Sequence, residues 1–227
     1  MRYQQAWDYQ ESLLAEMVGE KSKNRDLPSE EQAALPGHKL LFVEHPAVYT
    51  LGKSGKMEHV LLSEEELAIK GIEFYKINRG GDITFHGVGQ LVGYPILDLE
   101  QFYTDIGRYL RNIEEVIIKT MAYYGLTGER SPGETGVWLD ATIPGSERKI
   151  CAIGVRCSRW ITMHGFAFNV NTDLGFFEHI IPCGIRQKQV TSLQQELGRP
   201  LNLEEVKTIV KQKFEEVFDV QLVGESS

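Results

Sequence analysis

KICAIGVRCSRWITMHGFAFNV, residues 149–170, is the stretch that decides the fold. Lys149 to Arg156 and Trp160 to Val170 are apolar runs of strand length and composition. They read as two strands that form a hairpin about Cys157 to Arg159. Upstream, Gly136 to Asp140, Lys39 to Glu44, Val48 to Leu51 and Ile72 to Asn78 also read as strands. Leu91 to Leu99 is strand-like, and Pro95 puts it at a sheet edge or at a strand end, because proline has no N–H for a ladder. Helices stand apart from these runs. Trp7 to Val18 has Leu13, Leu14, Met17 and Val18 at helical spacing. Ser63 and Glu66 form a capping box for a short helix to about Lys70, ended by Gly71. Asp105 to Tyr124 is the longest helical pattern, ended by Gly125, and Leu203 to Phe218 follows Asn202 and Glu205 as its capping box. Val220 to Val223 reads as a small strand. Hairpin-like strands with separate helices predict an α+β domain, a largely antiparallel or mixed sheet with flanking helices. No G-x-G-x-x-G follows a strand and no Walker sequence occurs, so nucleotide-binding βαβ folds are not indicated.

The chain has 227 residues, 42% hydrophobic and 25% charged, enough to bury a core without disulfides or metals. Its three cysteines are too few for a disulfide scaffold, and they read as reduced thiols of which one is chemically used. Met1 to Gly19 mixes Trp7, Asp8, Glu11 and Glu16 among its apolar residues, so no secretory leader is expected. No run approaches the ~20 apolar residues that span a bilayer. A cytoplasmic location is the expectation. The net charge of −8 argues against wholesale nucleic-acid binding. Arg148, Lys149, Arg156, Arg159, Arg186 and Lys188 form either a local basic patch or a solvated surface.

Three segments carry candidate chemistry. RGGDITFHGVGQLVGY, residues 79–94, packs glycines with Arg79, Thr84, His86 and Gln90. Arg79-Gly80-Gly81 follows a strand, so it can turn the chain and aim N–H groups at an anion or a developing oxyanion. Thr84 and His86 share one face of an extended segment. The plain alternative is a glycine-rich hairpin with a satisfied histidine. In the second segment Lys149 opens an apolar strand. Such a lysine is usually a solubility device, and becomes chemical when desolvated beside a thiol. His164 is more often structural. The third segment is Ile181-Pro182-Cys183-Gly184-Ile185. Pro and Gly place Cys183 on a loop, whereas Cys151 and Cys157 fall in strands and Cys151 reads as a small core residue. Cys183 is therefore the best nucleophile candidate, and it needs a neighbouring cation or base. No C-x-x-C or H-x-x-x-H occurs, so no metal site is expected.

Taken together, RGGDITFHGVGQLVGYPILDL, KICAIGVRC with HGFAFNV, IPCGI and the upstream EHPAVYTLGK resemble the lipoyl(octanoyl) transferase family, the octanoyltransferases of lipoate biosynthesis. The likeness covers most of the chain in the right order. It implies the α+β fold of biotin and lipoate protein ligases, with residues 1–227 as one catalytic domain. It implies an octanoyl (or lipoyl) group taken from acyl carrier protein, held as a thioester on Cys183, and passed to a lysine of a lipoyl domain. Such domains belong to 2-oxoacid dehydrogenases and the glycine-cleavage H protein. By position, Lys149 is the activating partner of Cys183. The acyl site is then lined by Arg79, Gly80, Gly81, Asp82, Ile83, Thr84, Phe85 and His86, with Ala152, Ile153, Gly154, Gly165, Phe166 and Ala167. No cofactor and a monomer are implied. The rivals are an ATP-dependent lipoate or biotin ligase, a non-catalytic lipoyl-domain binding module and a papain-like thiol hydrolase using His164 or His179. The biotin-ligase G-R-G-R-x-G pattern is absent.

Overall fold

The hairpin of residues 149–170 is the centre of the sheet in the computed structural model, which describes residues 1–25, 27–28, 31, 36–181 and 189–224. Its strands are β7 (Arg148–Ser158) and β8 (Ile161–Asn169). They pair antiparallel from Cys151↔Phe168 to Ser158↔Ile161. The turn is Arg159-Trp160, with φ of 49° and 65°. Both are positive, as a two-residue type I′ hairpin requires.

Earlier in the chain lie α1 (Tyr3–Asn24), β1 (Lys39–Val43), β2 (Val48–Leu51), α2 (Glu64–Ile69), β3 (Glu73–Lys76), β4 (Ile83–His86), β5 (Gln90–Ile96), α3 (Ile106–Tyr123) and β6 (Val137–Leu139). Later come β9 (Gln189–Val190), α4 (Leu193–Leu197) and α5 (Leu203–Phe218). Among the described residues, one sheet runs β1-β5-β8-β7-β6, with β9 added in parallel to β7, and a second runs β3-β2-β4. The large sheet is antiparallel except at β9, so the mixed α+β expectation agrees with it.

The helix ends follow their caps. Ser63 Oγ accepts from Glu66 N–H, and the Glu66 carboxylate accepts from Ser63 N–H, the reciprocal box that starts α2. Asp105 accepts from Arg108 N–H to start α3. Asn202 accepts from Glu204 and Glu205 N–H to start α5. α3 and α5 cover one face of the large sheet, where Ile113, Ile117, Val210 and Phe214 join Phe166 and Phe168 in the main core. α1 covers the other face, with Ala6 on Val92 and Ala167 and with Leu14 and Met17 on Ile161 and Met163. None of the described helices is long and apolar enough to cross a membrane.

Pro95 lies on β5, which is interior between β1 and β8, so the edge placement is corrected and the strand-end placement holds. β8 pairs with β5 only as far as Gly93↔Phe166, two residues before the proline. Thr162 Oγ donates to Pro95 C=O at 2.9 Å, so the proline's polar edge faces β8 beyond the ladder's end. The missing N–H therefore breaks no ladder bond. Residues 221–223 form no strand: Leu222 N–H is taken by the Glu215 side chain at 2.7 Å instead of by a neighbouring strand.

Candidate active site

Gly80 N–H donates to Val155 C=O at 2.9 Å, and this bond fastens the Arg79-Gly80-Gly81 turn to the outer edge of β7. Arg79 is buried there. Its Nη2 donates to Thr50 C=O at 2.8 Å and to Thr50 Oγ at 3.0 Å, and Nη1 to Gly80 C=O at 2.9 Å. The guanidinium occupies space that side chains would otherwise fill. A Cβ on Gly52 would lie 2.9 Å from Arg79 Nη1, and one on Gly154 would lie 2.8 Å from Gly80 C=O. Close approach of the 79–81 turn to β7 thus requires glycine at 154.

Between this turn and the sheet lies a cavity of about 540 Å³. Arg79 to Thr84, His86, Lys149, Ala152 to Gly154 and Gly165 to Ala167 all line it. Phe85, alone among the described residues assigned to the acyl site, does not. It points to the opposite side of β4 and stacks on Phe176, ring centres 4.5 Å apart, beside Tyr49 and Phe177. Its ring is held there by Tyr49, Phe176 and Phe177, whereas Ile83, two positions earlier on the same strand face, still reaches the cavity. Cys183 lies outside the described residues, as do Arg186 and Lys188.

Lys149 sits where β6, β7 and β9 meet. Its register partners are Trp138 on β6 and Val190 on β9, and its C=O accepts from Thr191 N–H at 2.9 Å. The ammonium lies over the Trp138 ring, 4.5 Å from its centre. Its stem passes Gly136, whose φ is 131° and whose Cβ, if present, would lie 3.5 Å from Lys149 Cε and 2.6 Å from Cys151 C=O. Cys151 is buried, and burial pushes its thiol well above the usual range, so it is no nucleophile. Cys157 is exposed on β7, its thiol also raised by partial burial of the sulfur.

The arginines near Lys149 are not a free basic patch. Arg148 is gripped by Asp140 and by Glu196, the latter at 2.7 Å and 2.9 Å. Arg156 pairs with Glu11 at 2.7 Å, and Arg159 bonds Ser22 Oγ. These carboxylates supply the compensation that the linear order of the basic residues conceals.

Further lining residues lie outside the acyl-site set that the resemblance implies. Tyr3 comes from the start of α1, and Gln90, Val92 and Tyr94 from β5. Asn169 ends β8. Gln90 has the glycine-rich segment as its signal, and Asn169 only a polar residue at the end of an apolar run. Asp82, next to the 79–81 turn, meets His59 Nδ1 with its carboxylate at 2.7 Å, in the connection between β2 and α2. His59 C=O in turn accepts from Ile181 N–H at 2.9 Å, two positions before Cys183.

Three histidines around the cavity are buried and held neutral. Burial lowers His45 to about 4 and, with Arg79 and Arg156 nearby, His164 to about 3. Burial, His45 and Arg79 push His86 well below the ordinary imidazole value. Their folded values lie below the unfolded value near ~6.5, so the unfolded chain takes up protons first. Stability is complete above that pH and falls as pH drops from ~6.5 towards ~4, by up to ~1.4 kcal/mol per pH unit for each histidine. Urea titrations across that window measure the slope. His164→Asn is expected to remove one proton from it, and an unchanged slope would count against the buried neutral form.

Comparison with known proteins places the chain. Residues 2–215 match the family model described as the lipoyl protein ligase A/B catalytic domain. The chain belongs to this family. It is 60% identical over 222 residues to an octanoyltransferase of Christiangramia forsetii, covering 97% of this chain and 93% of that one. It is 58% identical to an octanoyltransferase of Flavobacterium psychrophilum, covering 97% and 94%. The chain is thus an acyltransferase of the lipoyl protein ligase A/B family. Among solved structures, a putative lipoate protein ligase of Thermoplasma acidophilum superposes with a TM-score of 0.64 at 16% identity, covering 94% of this chain and 82% of that one. Lipoate-protein ligase A bound with ATP gives 0.61 at 18% identity, covering 96% and 83%. At such identities the likeness establishes the fold.

Proposed function

We propose that this acyltransferase moves an octanoyl or lipoyl group from acyl carrier protein to the ε-amine of a lysine on a lipoyl domain, through a thioester on Cys183. Residues 1–227 act as one catalytic domain and as a monomer in the cytoplasm. The acceptors are the lipoyl domains of 2-oxoacid dehydrogenases and the glycine-cleavage H protein. One observation carries this assignment: Lys149, the Arg79–Thr84 turn and the apolar Val92, Ile153, Phe166 and Ala167 line one cavity. A base and an apolar wall are what acyl transfer of a medium chain needs, and each buried CH₂ contributes about 0.8 kcal/mol.

The steps balance as follows. The Lys149 side chain accepts the Cys183 thiol proton as sulfur attacks the thioester carbonyl. The new C–S bond forms, the bond to the carrier's sulfur breaks, and that sulfur leaves with the proton from Lys149. The acceptor amine then attacks the acyl-enzyme and gives its proton to Lys149. The amide C–N bond forms, the Cys183 C–S bond breaks, and the proton returns to the cysteine sulfur.

Intact mass after incubation with octanoyl-carrier protein tests this directly. The wild type is expected to gain one octanoyl group, and Cys183→Ser none. An unmodified wild type overturns the assignment. So does ATP-dependent attachment of free lipoate that survives Cys183→Ala, because a ligase that activates its acid as an adenylate has no need of the thiol.

A further inference from the structure

Along the cavity wall a line of buried polar side chains runs from the second sheet to β9. It starts at Arg79, whose Nη2 donates to Thr50 Oγ at 3.0 Å. Thr50 Oγ meets His86 Nε2 at 3.3 Å, and His86 Nδ1 meets Gln90 Oε1 at 2.9 Å. Gln90 Nε2 donates to Phe85 C=O at 3.1 Å and to Asn169 Oδ1 at 2.9 Å. Asn169 Nδ2 donates to Thr191 C=O at 3.0 Å. Thr50, Gln90, Asn169 and Thr191 are all buried, as is His86.

The directions of these bonds are fixed by one another. Gln90 spends its amide hydrogens on Phe85 and Asn169, so its oxygen must accept, and His86 must carry its proton on Nδ1. His86 Nε2 then accepts the Thr50 hydroxyl proton, and Thr50 Oγ accepts from Arg79. Every bond donates the same way, from Arg79 towards Thr191. A neutral His86 completes the line, in keeping with its burial beside Arg79. Fully satisfied buried networks of this kind rigidify what they join.

The far end of the line reaches Lys149. Thr191 N–H donates to Lys149 C=O at 2.9 Å, and the preceding Val190 is the parallel register partner of Lys149. Thr191 Oγ is held by Glu196 at 2.5 Å, and Glu196 grips Arg148 next to Lys149. β9 has two residues, Gln189–Val190, too short to fix itself by pairing alone. It is also the first described stretch after the segment that carries Cys183.

We propose that Gln90 and Asn169 are positioning residues for acyl transfer: with Thr50, His86 and Thr191 they lock β9 against Lys149 and so set how Lys149 activates Cys183. The inference rests on the acyl-transfer mechanism proposed above. Neither residue touches the reacting atoms in this scheme. Their effect passes through the backbone of Thr191 and the register of β9.

The test reads the thiol rather than the fold. Alkylation of Cys183 by iodoacetamide is followed against pH, resolved from Cys157 by peptide mass. The wild type is expected to show an apparent pKa below the free-thiol value of ~8.5. Asn169→Leu and Gln90→Met are expected to raise it by about one unit, a tenfold loss of thiolate at neutral pH, with kcat falling in step and KM for the acyl donor held within about twofold. Asn169→Asp keeps the acceptor for Gln90 but loses the donor to Thr191, and is expected to match Asn169→Leu. Thr50→Val breaks the line at its other end, and the double variant Thr50→Val/Asn169→Leu is expected to be no worse than the worse single one. Lower melting temperatures with an unmoved alkylation profile, or losses that multiply in the double variant, overturn the relay. Should Asn169→Leu fail to fold, Gln90→Met and Thr50→Val make the same comparison. A wild type with no acyl adduct and no depressed profile overturns the acyl-transfer mechanism, and the relay with it.

Discussion

Lys149→Met is expected to slow acyl transfer by a factor of about 10²–10⁴, the usual worth of a positioned general base, and Lys149→Arg to slow it as much. The two variants separate charge from proton transfer. Methionine keeps an unbranched stem in the slot beside Gly136 but has no ammonium. Arginine keeps a cation over the Trp138 ring, where Lys149 Nζ now sits 4.5 Å from the centre, yet a guanidinium does not give up its proton near neutral pH. If Lys149 serves only by its positive field, Arg restores most of the rate; if it accepts a proton, Arg does not. Single-turnover transfer from octanoyl-carrier protein measures this, with acylation and deacylation read separately by mass. The fold should survive. Losing a cation–π contact costs about 0.5–1 kcal/mol, or roughly 1–4 °C of melting temperature for a chain this long. Wild-type rates in Lys149→Met would remove Lys149 from the mechanism.

Local pattern made the hairpin of residues 149–170 legible, because strand composition and a short polar turn are properties of neighbouring residues. The turn falls at Arg159-Trp160, one residue later than expected, since both need positive φ without a glycine to mark them. α1 begins at Tyr3, ahead of the periodic stretch from Trp7, because Tyr3 is buried beside Val48 and Ile77 and stacks near His86. Only tertiary packing supplies that contact. The parallel pairing of β2 with β3 is similarly nonlocal. In the cavity, the glycine-rich segment was legible as a whole, while the inward or outward direction of a single residue was not, hence Phe85. The pairing of Gln90 with Asn169 left no trace. Each is one polar residue in an apolar strand, and its partner lies 79 positions away. The basic residues misled for the same reason: Arg148 meets Glu196, 48 positions on, and Arg156 meets Glu11, 145 positions back.

Glu114→Ala is expected to destabilise the protein by about 1–3 kcal/mol, the cost of leaving the buried Gly136 N–H without its acceptor. This carboxylate is 0% exposed on α3. One oxygen accepts from Arg111 at 2.6 Å and from Arg130 Nε at 3.0 Å, and the other accepts from Gly136 N–H at 3.0 Å. Removing it strands a buried backbone donor, while Arg130 keeps its pair with Glu115 at 2.6 Å. Arg111 is half exposed, its side chain at 46%, and can turn to water. Arg111→Ala alone should therefore cost about 1 kcal/mol or less. The expected drop in melting temperature for Glu114→Ala is roughly 2–12 °C, measured by calorimetry beside Glu114→Gln, which keeps an acceptor for Gly136 but not the charge. The consequence extends beyond stability. Gly136 borders the Lys149 stem, and Glu114 fixes the backbone at that glycine. Glu114→Gln should hold more of the transfer rate than Glu114→Ala at a temperature where both are folded, because the Gly136 bond survives in it. Equal rates in the two variants would confine Glu114 to the stability of α3 and the 130–136 loop, and detach it from the placement of Lys149.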